Sequence, residues 1–540
     1  MAESDGQLTG KMPNNRRDAR QLAGLAALGL IGLAVTIALV STVTAGWGGE
    51  WAAGIADARR VTMFTLLQAF LSLLLSLLLA VPFALALDNL RGFAGRQLII
   101  SLLAIPLSLP VIVAVMALLA LLGRNGALAH LAEAAGAGWK PDIYGLKGIL
   151  LAHVFFNMPL AARMIVQQFE AIAPEQWKLA ETLGFSGRHR FVLLQWPALL
   201  AILPGLSGLI FLLCVGSYTI ILVLGGGPQT TTLQVAIYQA LSFDFDIGRA
   251  AMLTLIQLGM TLLLLWCLPS LQFFNAQNQF GGTRRHHQTS GWSRMVFSLV
   301  ITVGTALLVM PLAAVILSGL GADHGKLLGE RQVWQALAAS VVIGISSALL
   351  AASAAWALAA AQYSFAKSNS SRAAQLVQSV PLALLGLPSL VLGVGWFLFV
   401  IKIGLPLAIA PLLIVLANAL MALPFAMQII QPRLRENFDV NDRLAASLGI
   451  SGAARLKVID LPVMRPVLIT ACLFAFALSL GDLGVVTLFG ADQVLTLPSL
   501  VFQKMGSYRS NDAAGLALYL TLLTGLMTFL ATKMQRHDRA

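Results

Sequence analysis

Long apolar runs separated by short polar segments dominate the pattern of this 540-residue chain. A helix needs about 20 apolar residues to cross the hydrocarbon core of a bilayer. Runs of that length lie near residues 22–44, 61–87, 98–122, 146–169, 198–224, 250–272, 295–319, 333–361, 376–401, 405–430, 464–489 and 513–532. The pattern predicts an all-α integral membrane protein with about twelve transmembrane helices.

Two of the polar segments, residues 173–197 and 432–462, share one motif and are called here the first and second repeated turns. The motif is a basic residue, Leu-Ala, two residues, Leu-Gly, one residue and Ser-Gly. Its glycines, Gly184 and Gly449, stand 265 positions apart, as do the prolines that follow, Pro197 and Pro462. The chain therefore contains an internal repeat.

Each repeated turn has a predictable local structure. Two leucines and an alanine at i, i+1 and i+4 predict a short helix with a small exposed apolar ridge. The glycine predicts the end of that helix and a turn into a second short helix, which we expect to stop before the proline. Such a ridge can lie in a groove of another protein.

The repeat extends through both halves of the chain. Further positions match at the same separation, namely His153 with Asn418, Pro159 with Pro424, and Gly216 with Gly481. We therefore divide the chain into a tail (1–20), a first half (21–274), a linker (275–293) and a second half (294–540). Two six-helix repeats that run the same way predict a pseudo-twofold axis along the membrane normal and a path between the halves.

Composition and charge agree with a membrane protein. The chain is 58% hydrophobic and 11% charged, against about a quarter charged in soluble domains. If both termini are cytoplasmic, the inner segments hold more than twice as many Lys and Arg as the outer ones. This rule also places both repeated turns in the cytoplasm. It explains the net charge of +12 better than nucleic-acid binding does, since the basic residues form no stripe.

Motifs for enzyme chemistry are missing from the sequence. There is no G-x-x-x-x-G-K-[ST] to hold a nucleotide, and the three cysteines lie inside apolar runs without metal-site spacing. Asp244 and Asp246 form a pair of carboxylates with no converging histidine or third acid, so they predict no catalytic site. We expect no cofactor and no metal on this chain, and ATP-driven transport would require a separate ATPase.

Polar residues inside the apolar runs are candidates for a translocation path, because burying them in lipid is costly. The candidates are His153, Asn157, Ser217, Tyr218 and Asp482. His153 and Asn157 share a helix face, where hydrogen bonds between helices are an equal alternative. Asp482 either offsets the charge of a cationic substrate or caps a broken helix.

The repeated turns resemble the EAA loop of the membrane subunits of bacterial binding-protein-dependent ABC importers of type I, in the form in which one chain carries both halves. The family pattern is Glu-Ala-Ala, three residues, glycine, and a proline thirteen residues later. Here Lys178-Leu179-Ala180 and Arg443-Leu444-Ala445 replace Glu-Ala-Ala, which retains the spacing and removes the glutamate's charge.

The resemblance implies two copies of a partner ATPase that carries ATP and Mg²⁺ and docks on the repeated turns. The implied docking residues are Lys178, Leu179, Ala180, Leu183, Gly184 and Pro197, and Arg443, Leu444, Ala445, Leu448, Gly449 and Pro462. It also implies a periplasmic substrate-binding protein above the outer loops. The residues expected to contact it are Tyr238, Phe243, Asp244, Asp246, Tyr508 and Arg509, for which a purely structural role is the alternative.

Several stretches resemble the thiamine (thiamine diphosphate) permeases within this family. They are residues 145–159, 224–232, 236–244, 479–484 and 506–510. The resemblance implies a permease in the bacterial inner membrane for a small-molecule substrate, thiamine and its phosphates, with ferric iron as the alternative cargo. A secondary transporter without an ATPase is a second alternative, although its usual signs, inverted repeats or a chain of intramembrane acids, are not what this sequence shows.

Overall fold

The computed structural model describes residues 19–46, 51–136, 138–139, 141–267, 291–368, 370–490 and 494–537. The predicted tail up to residue 18 and residues 275–290 of the predicted linker lie outside this part of the chain. Within the described ranges the structure is helical and contains no strand. Eleven of these helices are long and apolar enough to span a membrane, or twelve if one bent pair counts as a span, which confirms the predicted fold class.

Thirteen α-helices precede the linker in the described part of the chain. They are α1 (Ala19–Gly46), α2 (Trp51–Asn89), α3 (Arg96–Leu102), α4 (Ile105–Ser108), α5 (Val111–Leu122), α6 (Ala127–Ala134), α7 (Leu146–Glu170), α8 (Pro174–Thr182), α9 (Gly187–Arg190), α10 (Trp196–Val215), α11 (Thr219–Leu224), α12 (Leu233–Ser242) and α13 (Ile247–Cys267).

Eleven described helices follow it. They are α14 (Gly291–Leu320), α15 (His324–Gly329), α16 (Arg331–Lys367), α17 (Ser371–Leu385), α18 (Ser389–Lys402), α19 (Ala410–Ser447), α20 (Gly452–Arg455), α21 (Leu461–Ser479), α22 (Gly484–Phe489), α23 (Leu497–Gly506) and α24 (Ser510–His537).

Four of the predicted continuous spans are broken. The run at 98–122 divides into α3, α4 and α5, and the run at 376–401 divides into α17 and α18, which meet at 91°. Pro110 and Pro388 stand directly before α5 and α18, and a proline disfavours helical backbone in the residue before it. The runs at 198–224 and 464–489 break after Gly216 and around Gly481, where the backbone is least constrained.

The span predicted at 405–430 is too short. Helix α19 continues to Ser447, so it carries the second repeated turn directly on a membrane helix, and Pro424 and Pro432 lie inside it. In the first half α7 ends at Glu170 and the separate helix α8 carries the first repeated turn. The two turns are therefore attached to the membrane domain in different ways.

The first helix of each half packs against the other half. Helix α1 lies along α16 and α18, and α14 lies along α5 and α2. A Cβ on Gly395 of α18 would lie 2.2 Å from the carbonyl oxygen of Ala38 in α1, and the Trp396 indole N–H donates to the Ala34 carbonyl at 2.9 Å. Small residues let these helices approach closely. Each half thus contributes its first helix to the packing of the other half, which we call the exchange of helices.

Candidate functional site

The helix of each repeated turn ends in the same hydrogen-bonded cap. Gly184 and Gly449 have φ of +66° and +67°, the left-handed conformation that favours glycine. The N–H of Phe185 donates to the carbonyl of Ala180 at 2.9 Å, and the N–H of Ile450 donates to that of Ala445 at 2.9 Å. This is a Schellman motif. The predicted glycine caps are confirmed.

The cap leaves two leucines exposed on each turn. Leu179, Leu183, Leu444 and Leu448 are between 55% and 62% exposed. Ala180 and Ala445 are buried, so their predicted place on the exposed ridge is wrong. Successive residues of a helix are about 100° apart, which turns each alanine inward beneath its leucine neighbours. Lys178 and Arg443 are exposed beside the leucines.

The second short helix of each turn does not stop before the proline. In the first turn α9 continues through a π-helical segment, 191–195, into α10, and Pro197 lies in the first turn of that helix. In the second turn the segment 456–460 leads into α21 with Pro462 in the same place. A proline ring clashes with the carbonyl four residues before it, and the wider π turn relieves that clash.

Each π segment ends in a buried polar residue that sequence reasoning missed. Gln195 donates to the Asp88 carboxylate of α2 at 2.6 Å, and Asp460 accepts from the Asn437 amide of α19 at 2.9 Å. Gln195 and Asp460 are 265 positions apart, so the repeat could have identified them. Gln195 thus joins the first turn to α2, and Asp460 joins the end of the second turn back to α19, the helix that carries it.

His153 and Asn157 make contacts between helices. Ser72 Oγ of α2 lies 2.8 Å from His153 Nδ1, and the Asn157 amide donates to Cys214 Sγ of α10 at 3.2 Å. Both side chains are buried. The contacts match the alternative of hydrogen bonds between helices.

The helix breaks at Gly216 and Gly481 lie where the halves meet. A Cβ on Gly481 would lie 3.4 Å from the Pro110 Cα of the first half, and one on Gly216 would lie 3.8 Å from Pro388 of the second. The hydroxyls of Tyr218 and Thr487 form a hydrogen bond across the halves at 2.9 Å. We call this contact region the seam.

Asp482 lies at the seam, and Ser217 is at the equivalent position in the first half. Its carboxylate faces the backbone N–H groups of Gly484 and Val485 at the start of α22, the place of a helix cap. Its Oδ2 atom is buried without a hydrogen-bond partner. The carboxylate thus acts as a cap and retains one oxygen that a cation can satisfy.

A loop aromatic residue in each half adopts a left-handed backbone. Phe245, before α13, has φ of +52°, and Tyr508, before α24, has φ of +58°. Both are strongly exposed, Tyr508 to 96%. The 265-position separation of the repeat pairs Phe243 with Tyr508, but the backbone conformation pairs Phe245 with it. The first half has one extra residue between α11 and α12 and one between α12 and α13, which together account for this difference.

Ion pairs hold both aromatic loops. Arg249 contacts Asp244 at 2.7 Å, and its backbone N–H donates to Asp246 at 2.9 Å. Arg509 contacts Glu330 at 2.7 Å and also pairs with Asp512. The predicted contact residues Asp244, Asp246 and Arg509 thus fix the loops from within the chain.

The half-buried ring of Tyr238 connects the first aromatic loop with the seam. It packs edge to face against Tyr218, with ring centroids 5.6 Å apart, and against Phe243, with centroids 5.7 Å apart. Most of its surface is therefore used inside the molecule, and of these three rings Phe243 is the most exposed. A continuous row of aromatic rings runs from the exposed loop to the contact between the halves.

Comparison with known proteins gives consistent relatives, although no family model matches the chain. Three similar proteins are named thiamine transport system permease protein ThiP. The protein from Brucella abortus is 44% identical over 517 residues, 94% of each chain. That from Escherichia coli is 39% identical over 516 residues, covering 93% of this chain and 95% of the relative. That from Haemophilus influenzae is 34% identical over 528 residues, covering 97% and 98%. The chain therefore belongs to the family of thiamine transport permeases, which are membrane subunits of ABC importers.

Proposed function

We propose that this permease forms the translocation path for thiamine and its phosphates, and that a separate ATPase drives it from the two repeated turns. The observation that carries the proposal is the pair of identical glycine caps, each presenting two exposed leucines. Exposed leucines on a short helix fit an apolar groove of a partner. The names of the relatives support thiamine as the cargo.

The turns act as levers in this proposal. Each is hydrogen-bonded to a long membrane helix through its π segment, at Gln195 or Asp460, so displacement of a docked turn moves that helix. Closure of two ATPase subunits would carry both turns inward and rock the halves about the seam, a rigid-body change of access. ATP and Mg²⁺ stay on the partner.

On the opposite side, Phe245 and Tyr508 fit a soluble binding protein. They are equivalent positions in the two halves, so a partner with two lobes can place one lobe on each. The aromatic row from Phe243 to Tyr218 gives such a partner a contact that reaches the seam. In this orientation the turns and both termini are cytoplasmic and the aromatic loops are periplasmic.

The docking surface is tested by changing Leu183 and Leu448 together to alanine. We expect ATPase retention on purified permease and uptake of labelled thiamine to fall at least tenfold. Each groove of the ATPase would lose contact with the leucine that fills it. The matched control is Leu98→Ala with Leu376→Ala, since both leucines are 64% exposed on α3 and α17. Full ATPase retention in the turn variant would reject the docking role.

The cargo is tested by deleting the chain from its host. Loss of thiamine uptake, restored by the intact chain, would support the proposal. Unchanged thiamine uptake with lost ferric-iron uptake would replace thiamine by iron and leave the importer mechanism in place. Uptake that continues without ATP would instead indicate a secondary transporter.

The role of Asp482 in the path is tested by Asp482→Asn. An asparagine keeps an acceptor oxygen for Gly484 and Val485 and removes only the negative charge. If the unpartnered oxygen offsets the thiazolium charge, uptake of thiamine falls at least tenfold at a normal membrane level of protein. Wild-type uptake would show that Asp482 is only a helix cap.

A further inference from the structure

The second repeated turn carries an ion cluster centred on Asp442, one residue before its basic position. Three cations surround this carboxylate. Its Oδ1 atom lies 3.2 Å from Arg20 and 2.7 Å from Arg455, and its Oδ2 atom lies 2.9 Å from Lys367. The Asp442 side chain is only 15% exposed, so these pairs are partly shielded from solvent.

The cations belong to three different helices, two of which lie outside the second turn. Arg20 begins α1, Lys367 ends α16, and Arg455 ends α20 of the turn itself. Asp442 therefore joins the second turn to the exchanged helix α1 and to a long helix of the second half.

An aromatic platform supports the cluster. The Arg20 guanidinium lies 3.8 Å from the ring centroid of Phe438, a buried residue one turn before Asp442 in α19. The Tyr363 ring also packs against Phe438, with ring centroids 5.1 Å apart, and its hydroxyl donates to Asp439 at 2.9 Å. The guanidinium is thus held by both a ring and a carboxylate, which fixes its position.

The first repeated turn lacks an equivalent carboxylate. The residue 265 positions before Asp442 is Trp177, whose indole cannot pair with three cations. The first turn also sits on the separate helix α8, whereas the second is the continuation of α19. The two turns thus differ in two ways: only the second continues a membrane helix, and only the second has a carboxylate at this position.

We infer that Asp442 is a positioning residue that fixes the second repeated turn to the membrane domain, so that the two turns transmit ATPase movement unequally. The inference rests on the proposed docking of an ATPase. Without the carboxylate, Arg20 and Lys367 lose this ion pair while Arg455 keeps Asp460, and the second turn is released from α1 and α16. The turn would then still bind its partner and move with α19, but it would no longer carry α1 and α16 with it.

The test is Asp442→Asn in the permease reconstituted with its ATPase and binding protein. We expect thiamine transported per ATP hydrolysed to fall at least fivefold, with ATPase retention unchanged. The matched control is Asp439→Asn, which removes the same charge one turn earlier and leaves the three pairs intact. Asp442→Glu, which keeps the charge, should lie closer to wild type than Asp442→Asn.

A wild-type transport ratio in Asp442→Asn would overturn the inference. If that variant fails to accumulate in the membrane, Arg20→Gln and Lys367→Gln replace it, since each removes one cation and leaves Asp442 paired. Uncoupling in them supports the inference, and wild-type coupling in both overturns it. A wild-type permease that shows no ATP-dependent uptake would instead refute the proposed function itself.

Discussion

The left-handed backbone conformation occurs both at glycines that end helices and at an exposed tyrosine. Gly184, Gly449 and Tyr508 all occupy the left-handed position of the same cap, since the N–H of Arg509 also donates to the Lys504 carbonyl, at 3.0 Å. At the repeated turns glycine removes the strain. At position 508 a tyrosine accepts it, and strain of this kind is concentrated at functional sites. This strained residue carries a ring that is 96% exposed, as the proposed contact with a binding protein requires.

Replacing Gly184 by alanine should weaken the first repeated turn. A Cβ in the left-handed region costs about 1 to 2 kcal/mol, so we expect a lower unfolding temperature of the purified permease and reduced uptake. Gly187→Ala is the control, because Gly187 begins α9, has no positive φ and has open space around its Cα. Equal effects of the two changes would contradict the role of the backbone conformation.

Replacing Tyr508 by glycine should separate stability from function. The change removes about 1 kcal/mol of backbone strain and raises the unfolding temperature. It also deletes the proposed contact, so stimulation of ATP hydrolysis by the binding protein should fall severalfold. The unfolding temperature and the stimulated rate of ATP hydrolysis are both measured. Full stimulation in the variant would show that the Tyr508 ring does not contact the binding protein.

At the scale of elements, the ion pairs between loops predict a dependence on pH. Lys504 and Arg509 hold the pKa of Glu330 below its ordinary value of 4.5. Because the folded-state pKa is the lower one, the stabilisation is complete above the ordinary value and is lost as pH falls through the folded value. The difference in unfolding temperature between wild type and Glu330→Gln should therefore shrink as the pH is lowered from about 5 to about 3. A constant difference would show that the carboxylate charge does not stabilise the loop.

Much of the element structure could be predicted from the sequence, and the exceptions have physical causes. The apolar runs gave the number of spans, and the repeat gave both glycine caps. The breaks before Pro110 and Pro388 were missed because transmembrane helices tolerate proline when neighbours satisfy the freed groups, as at Pro424. The π segments were missed because hydropathy does not distinguish them from α-helix.

At the scale of the whole molecule, the sequence could not predict which helices meet. Arg20 and Asp442 are 422 positions apart, and no local pattern connects them. The same holds for the packing of α1 on α16 and α18, because the apolar surface of a membrane helix does not specify its neighbour. The candidate site was therefore predicted where it is local, at the turns, and missed where it depends on distant contacts.

The exchange of helices predicts how the chain tolerates division. Cut within the linker and expressed together, the two half-chains should assemble and transport, because all the packing surfaces remain. Expressed alone, each half lacks the helix that covers it and should be degraded. Membrane levels of each tagged half, with and without the other, provide the measurement. Stable accumulation of either half alone would contradict the predicted dependence.

The exchange of helices also constrains how this protein can evolve. Gly395 leaves room for the backbone of Ala38 in the other half, and Gly304 leaves room for the ring of Phe83. A change on either side of such a contact must be matched by a change in the other half. Although the halves share a repeated pattern, we expect that neither can be replaced by the corresponding half of a distant relative unless the other half is replaced as well. Selection therefore acts on both halves as one unit. Residues that touch across the halves should co-vary in sequence more strongly than residues at matching positions of the repeat.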